Sequence, residues 1–115
     1  MKKTSKGKLA ELIALEWFVK KDMQIAIPFS GQSGWDFLVF VNENWLRVQV
    51  KCAYKRKDAW YVDTMKGGGY KRETRDRKYK GNEFDVLLAV DVDGNNIWHL
   101  QMSECKLRRC VKLCV

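Results

Sequence analysis

Seven consecutive residues, Leu46-Arg47-Val48-Gln49-Val50-Lys51-Cys52, alternate strictly between apolar and polar side chains. A period of two is that of a β-strand, with Leu46, Val48, Val50 and Cys52 on one face and Arg47, Gln49 and Lys51 on the other. The segment upstream, Trp35 to Val41, is hydrophobic nearly throughout, which predicts a strand buried on both faces. Asn42-Glu43-Asn44 between them is a tight hairpin connection, so the two strands pair antiparallel. Pairing about that turn sets Asp36 opposite a position near Gln49 to Lys51. Along its own strand Asp36 shares a face with Leu38 and Phe40. A carboxylate at such a place is either paired or binds a cation.

The rest of the chain supplies a setting for this hairpin. Lys6 to Lys21 predicts a helix, with Thr4 or Ser5 as its cap. Leu9, Leu12, Ile13 and Trp17 recur at helical spacing, and Ala10, Ala14, Leu15 and Phe18 widen the apolar face. Glu11 stands inside that apolar set, so it lies at a rim or meets something cationic. Ile25 to Phe29 reads as a short strand ending near Pro28. Ser30-Gly31-Gln32-Ser33-Gly34 is a turn-rich loop. Trp45 to Ala53 is the alternating strand, and Trp60 to Thr64 is a further one beyond the basic turn Lys55-Arg56-Lys57-Asp58. Gly67-Gly68-Gly69 marks a break. Glu83 to Val92 is another buried strand, joined through Asp93-Gly94-Asn95-Asn96 to Ile97 to Met102. Ser103 to Val115 predicts a short C-terminal helix with Leu107, Cys110, Val111 and Cys114 on one face. The order α-β-β-β-β-loop-β-β-α implies an α/β or α+β domain around a central sheet. At 115 residues, a single domain, 1–115, is expected.

Charge narrows the function. The formal net charge is +8. From Lys51 to Lys80 eleven Lys or Arg face four acids, so most of the surplus sits in one stretch. A surplus this local points to an anionic partner, most often nucleic acid. No apolar run approaches the ~20 residues of a membrane span. Met1-Lys2-Lys3 leads into a polar segment rather than a secretory signal, so a reducing, cytoplasmic compartment with free thiols is expected. Cys105, Cys110 and Cys114 are spaced x4 and x3, without CxxC and with one His, His99, a poor match to zinc-ligand spacing.

Taken singly, Asp36 reads more readily as a turn cap, Gln49 and Lys51 as a solvated face, and Glu11 as the partner of Lys8. Taken together, Glu11 on a helix, Gly34-Trp35-Asp36, and Gln49-Val50-Lys51 about a dozen residues later form a pattern that resembles the PD-(D/E)XK nuclease superfamily. The resemblance extends through Gly7-Lys8-Leu9-Ala10-Glu11-Leu12, Ile27-Pro28-Phe29, and Tyr79-Lys80-Gly81-Asn82-Glu83-Phe84-Asp85. It is nearest to a bacterial branch containing intron-encoded homing endonucleases, with archaeal-type Holliday junction resolvases as more distant relatives. Trp35 stands where the motif has proline, and Gln49 where it has Glu or Asp. A Gln carbonyl oxygen still ligates a hard cation but brings no charge.

The resemblance implies a restriction-endonuclease-like core, a central mixed β-sheet flanked by helices. It also implies magnesium-dependent hydrolysis of DNA, with manganese able to substitute, giving 5′-phosphate and 3′-hydroxyl ends. Asp36 is then the principal metal ligand, Gln49 and the Val50 carbonyl add oxygens, and Glu11 holds a second metal or positions Lys51. Lys51 orients or deprotonates the attacking water. Double-stranded DNA is the expected partner, which implies a cytoplasmic, nucleoid-associated protein of a bacterial-type cell. Its contacts are expected from Ser30, Gln32 and Ser33, from Lys55, Arg56 and Lys57, and from Lys66, Tyr70, Lys71, Arg72, Arg75, Arg77, Lys78, Tyr79 and Lys80. Cutting both strands needs two active sites, so a homo-oligomer, dimer or tetramer, is expected. The alternatives are a Holliday junction resolvase and a DNA-binding module on a catalytically decayed nuclease scaffold.

Overall fold

The structure, a computed structural model, describes residues 1–29, 34–65 and 77–114. Helix α1 spans Lys3–Val19. It begins earlier than expected: the Lys6 amide already donates to the Lys2 carbonyl at 2.9 Å, and Lys2 is an N-cap without a side-chain bond. Thr4 and Ser5 therefore lie inside the first turn and do not cap it. The buried line of the helix is Ala10, Ala14 and Phe18, three residues at i, i+4 and i+8. The two alanines let the helix backbone approach the sheet closely, and Ile13, Leu15 and Trp17 flank them. Leu12, predicted for the core face, is 61% exposed.

The strands are β1 (Ile25–Ala26), β2 (Phe37–Val41), β3 (Asn44–Arg56), β4 (Ala59–Asp63), β5 (Val86–Asp91), β6 (Asn96–Gln101) and β7 (Cys110–Leu113). β1 stops early: Pro28 has no N–H to offer a ladder, and Ile27 and Phe29 lie exposed. The β2–β3 turn is two residues, Asn42 and Glu43, both with positive φ (48° and 65°). That is the twist a two-residue hairpin needs. β2 is not buried on both faces as predicted. Phe37 and Val39 enter the core beneath α1, whereas Phe40 turns outward against Trp45 at 5.1 Å between ring centroids.

β3 is the axis of a seven-stranded mixed sheet. It pairs antiparallel with β2 from Asn44 to Val48, parallel with β5 from Val48 to Cys52, and antiparallel with β4 from Ala53 to Arg56. β4 carries β7 on its far side, and β5 carries β6. The parallel step brings Val86 beside Val48 and is clamped by Arg47. Its main-chain N–H donates to Asp85 Oδ2 at 2.7 Å, and its guanidinium donates to both oxygens of the same carboxylate at 3.2 Å. Two apolar clusters lie on the two faces of the sheet. Val48, Val50, Leu88 and Val90 join α1 on one face, and Ala53, Leu87 and Ala89 join Tyr79, Phe84, Met102 and Cys105 on the other. β5 serves both, which accounts for its nearly continuous apolar run.

The predicted C-terminal helix is a four-residue turn, α2 (Met102–Cys105), followed by strand β7. Gln101, not Ser103, caps it, its amide N–H meeting Glu104 Oε2 at 2.7 Å. Lys106 leaves the helical conformation with ψ 127°, and Leu107 follows with a positive φ of 59°. Beyond it Val111 and Leu113 alternate inward, with Cys110, Lys112 and Cys114 outward, so a period of two replaces the helical face.

Candidate active site

The strand pairings leave an opening at the middle of β3. β2 releases β3 at Val48 and β4 takes it up at Ala53, so among the described residues Gln49 to Cys52 are paired in the sheet by β5 alone. Asp36 stands at this opening. Its N–H donates to the Val48 carbonyl at 2.7 Å, which carries the β2 ladder one step past Phe37 and sets Asp36 across from Gln49. Its Oδ2 then accepts the Val50 N–H at 2.7 Å, taking the place of a strand partner. Gln49 is half-buried, and its side chain makes no hydrogen bond among the described residues.

Glu11 reaches the same opening from α1, on the lip of a cleft of about 430 Å³ shared with Asp36, Lys8, Ile27 and Trp35. Lys8 Nζ lies 3.5 Å from Glu11 Oε2, a loose pair with a mostly exposed lysine. Burial pushes the Asp36 carboxyl up to about 6, the Glu11 carboxyl beside it pushes the same way, and the Val50 N–H and Lys51 pull against them. Lys51 is lowered from the ordinary lysine range, first by burial and then by Arg77, while Asp36 and Asp63 oppose the fall. Its ammonium donates to the Met65 carbonyl at 2.8 Å. Asp36 is thus the hub, touched by the fields of both Glu11 and Lys51.

The Met65 carbonyl is the member that sequence reasoning missed, because a main-chain oxygen leaves no trace in residue identity. Thr64 holds it in place. Fully buried, Thr64 donates its N–H to the Arg109 carbonyl at 3.0 Å and its hydroxyl to the Arg108 carbonyl at 2.7 Å.

Of the expected DNA contacts, Lys55, Arg56 and Lys57 are exposed at the β3–β4 turn. Arg56 lies 5.9 Å from the ring centroids of both Tyr54 and Tyr61. Arg77 and Lys78 are half-buried near the site, and Lys80 is exposed. Tyr79 corrects the expectation. It is 2% exposed and packs edge-on against Phe84 at 4.7 Å, so its ring is core and does not stack on a base. Ser30, Gln32, Ser33, Lys66, Tyr70, Lys71, Arg72 and Arg75 lie outside the described residues.

Among the described residues no three His, Cys, Asp or Glu side chains gather into a metal site. The donor set is instead two carboxylates, an amide and the main chain at Val50. These are oxygen donors suited to a hard divalent cation, and a half-buried acid pair is what such a cation neutralises.

A mixed sheet opened at one strand thus brings an acid pair, an amide and a lysine to the opening. The chain belongs to the PD-(D/E)XK endonuclease family, which it matches over residues 1–113. Its fold is similar to that of a bacterial homing endonuclease, I-Ssp6803I, with a TM-score of 0.85 and 20% identity over 100% of this chain and 80% of that one. The comparison with curated proteins returned no match.

Proposed function

We propose that this chain is a metal-dependent, sequence-specific endonuclease of double-stranded DNA, of the homing type, leaving 5′-phosphate and 3′-hydroxyl ends. The observation that carries the reading is the Asp36 carboxylate at the open stretch of β3, between the fields of Glu11 and Lys51 and across from Gln49. Family membership and the likeness to a homing endonuclease support it.

Asp36, Gln49 and the Val50 carbonyl would hold magnesium, or manganese in its place, with Glu11 available to a second ion. A bound cation supplies stabilisation of the negative charge that develops on the phosphate. The protein's own residues do the rest. Lys51 sits where burial eases loss of its proton, so it can orient the attacking water and take a proton from it. Returned to its charged form, it faces the phosphate oxygens as they gain charge. The Asp36–Val50 hydrogen bond fixes the carboxylate against the strand, so its free oxygen keeps one direction. Gln49 would ligate without adding charge, leaving the site one negative charge short of the usual motif.

The test is a cleavage screen against a randomised duplex library with magnesium, beside a four-way junction and the Lys51→Ala variant. Cutting at one long motif, lost in the variant, is the expected result. Cleavage of the junction alone would replace the homing reading with a resolvase. Equal background from protein and variant on every DNA would leave a decayed binding module.

A further inference from the structure

Lys51 lines a second cleft, distinct from the Glu11–Asp36 pocket, of about 740 Å³. Its walls come from distant parts of the chain: the start of α1, the β3–β4 pair, Arg77, and the segment leading into β7. Among the described residues six cations line it, Lys3, Lys6, Lys51, Arg56, Arg77 and Arg109, against one carboxylate, Asp63. That carboxylate already accepts the Tyr54 hydroxyl at 2.8 Å. The side chains of Lys3, Lys6 and Arg109 form no ion pair among the described residues. Packing α1 across β3 and β7 beside β4 gathers like charges that repel one another, and Lys51 feels Arg77 in this way. Lys3, Lys6 and Arg109, with no ion pair among the described residues, are relieved by a polyanion laid along them.

We propose that this groove takes the phosphodiester backbone of the strand being cut, next to the scissile phosphate, with Lys3, Lys6 and Arg109 each neutralising a phosphate. The inference rests on the nuclease reading and adds residues from both ends of the chain to a DNA surface that sequence placed at residues 30–33 and 55–80. The occupant is a backbone rather than a base, because the groups are cations drawn from separate elements, the first turn of α1 and the segment before β7, and charge alone selects phosphate. The groove borders Lys51, so the phosphates held there adjoin the one beside Asp36.

The experiment needs no cleavage. Binding of a labelled random-sequence duplex in chelator is measured against salt concentration for the full chain and for Lys3→Gln, Lys6→Gln and Arg109→Gln. Lys20→Gln and Lys112→Gln serve as controls outside the groove. Each groove variant is expected to reduce the slope of log Kd against log salt by about one, and the triple variant by about three, with the controls unchanged. Circular dichroism melting of each variant excludes unfolding as the cause. Wild-type binding with slopes that fall no more than in the controls overturns the groove and leaves the nuclease reading standing. Absence of wild-type binding overturns both.

Discussion

At the scale of the residue, Asp36 works against the fold that holds it. Its carboxyl is raised to about 6, so the folded protein keeps the proton more tightly than the unfolded chain does. The stability from this group is therefore present in acid and lost as pH rises through about 6. Solvent at its exposed edge screens the effect to about 1 kcal/mol at neutral pH. Asp36→Asn keeps an oxygen for the Val50 N–H and removes the charge. In chelator at pH 7.5 it is expected to melt roughly 4 to 8 °C above the parent chain, with the two converging near pH 4, while cleavage is abolished. Equal melting points at pH 7.5 would show that the charge costs the fold nothing. Asp36, Gln49 and Lys51 were legible beforehand because strand alternation and hairpin register are written in side-chain identity. Tyr79 was not, since a tyrosine among lysines and arginines reads as surface until Phe84 is seen to cover its ring.

At the scale of the element, the lysine is positioned by a chain of contacts that begins in the segment before β7. Arg108 and Arg109 carbonyls hold Thr64, Thr64 sets the direction of the Met65 carbonyl, and that carbonyl holds Lys51. Thr64→Val keeps the volume and leaves the Arg108 carbonyl without its hydroxyl, at a cost of about 1–3 kcal/mol. The expected outcome is a lower melting point together with a lower kcat at unchanged KM, and Thr64→Ser restores both. A kcat that stays level while the protein loses stability would reduce Thr64 to a packing residue. Such links escape a reading of sequence because they run through main-chain oxygens. The C-terminal segment escaped it for a different reason. Cys110-Val111-Lys112-Leu113 fits a helical face and a strand equally well, and the free edge of β4 decides for the strand.

At the scale of the whole molecule, one chain offers one set of Glu11, Asp36, Gln49 and Lys51, and a duplex has two strands to cut. The proposed activity therefore calls for a symmetric assembly. Light scattering is expected to give twice or four times the mass of one chain at working concentrations. A monomer that severs both strands in one binding event would contradict this. The mixed sheet itself was foreseeable from the order of elements and the family resemblance. The three partners of β3 were not, because no local pattern says where one neighbour ends and the next begins.

That change of partners along β3 bears on how such a protein can diverge. The stretch up to Cys52 is committed to β2 and β5, and with it the register of Asp36, Gln49 and Lys51. From Ala53 onward the strand answers only to β4, and through it to β7. Substitutions and length changes toward the Lys57 turn can accumulate there without shifting the upstream pairing. A lineage built on this strand is free to drift in what its hairpin meets while its hydrolytic end stays inherited.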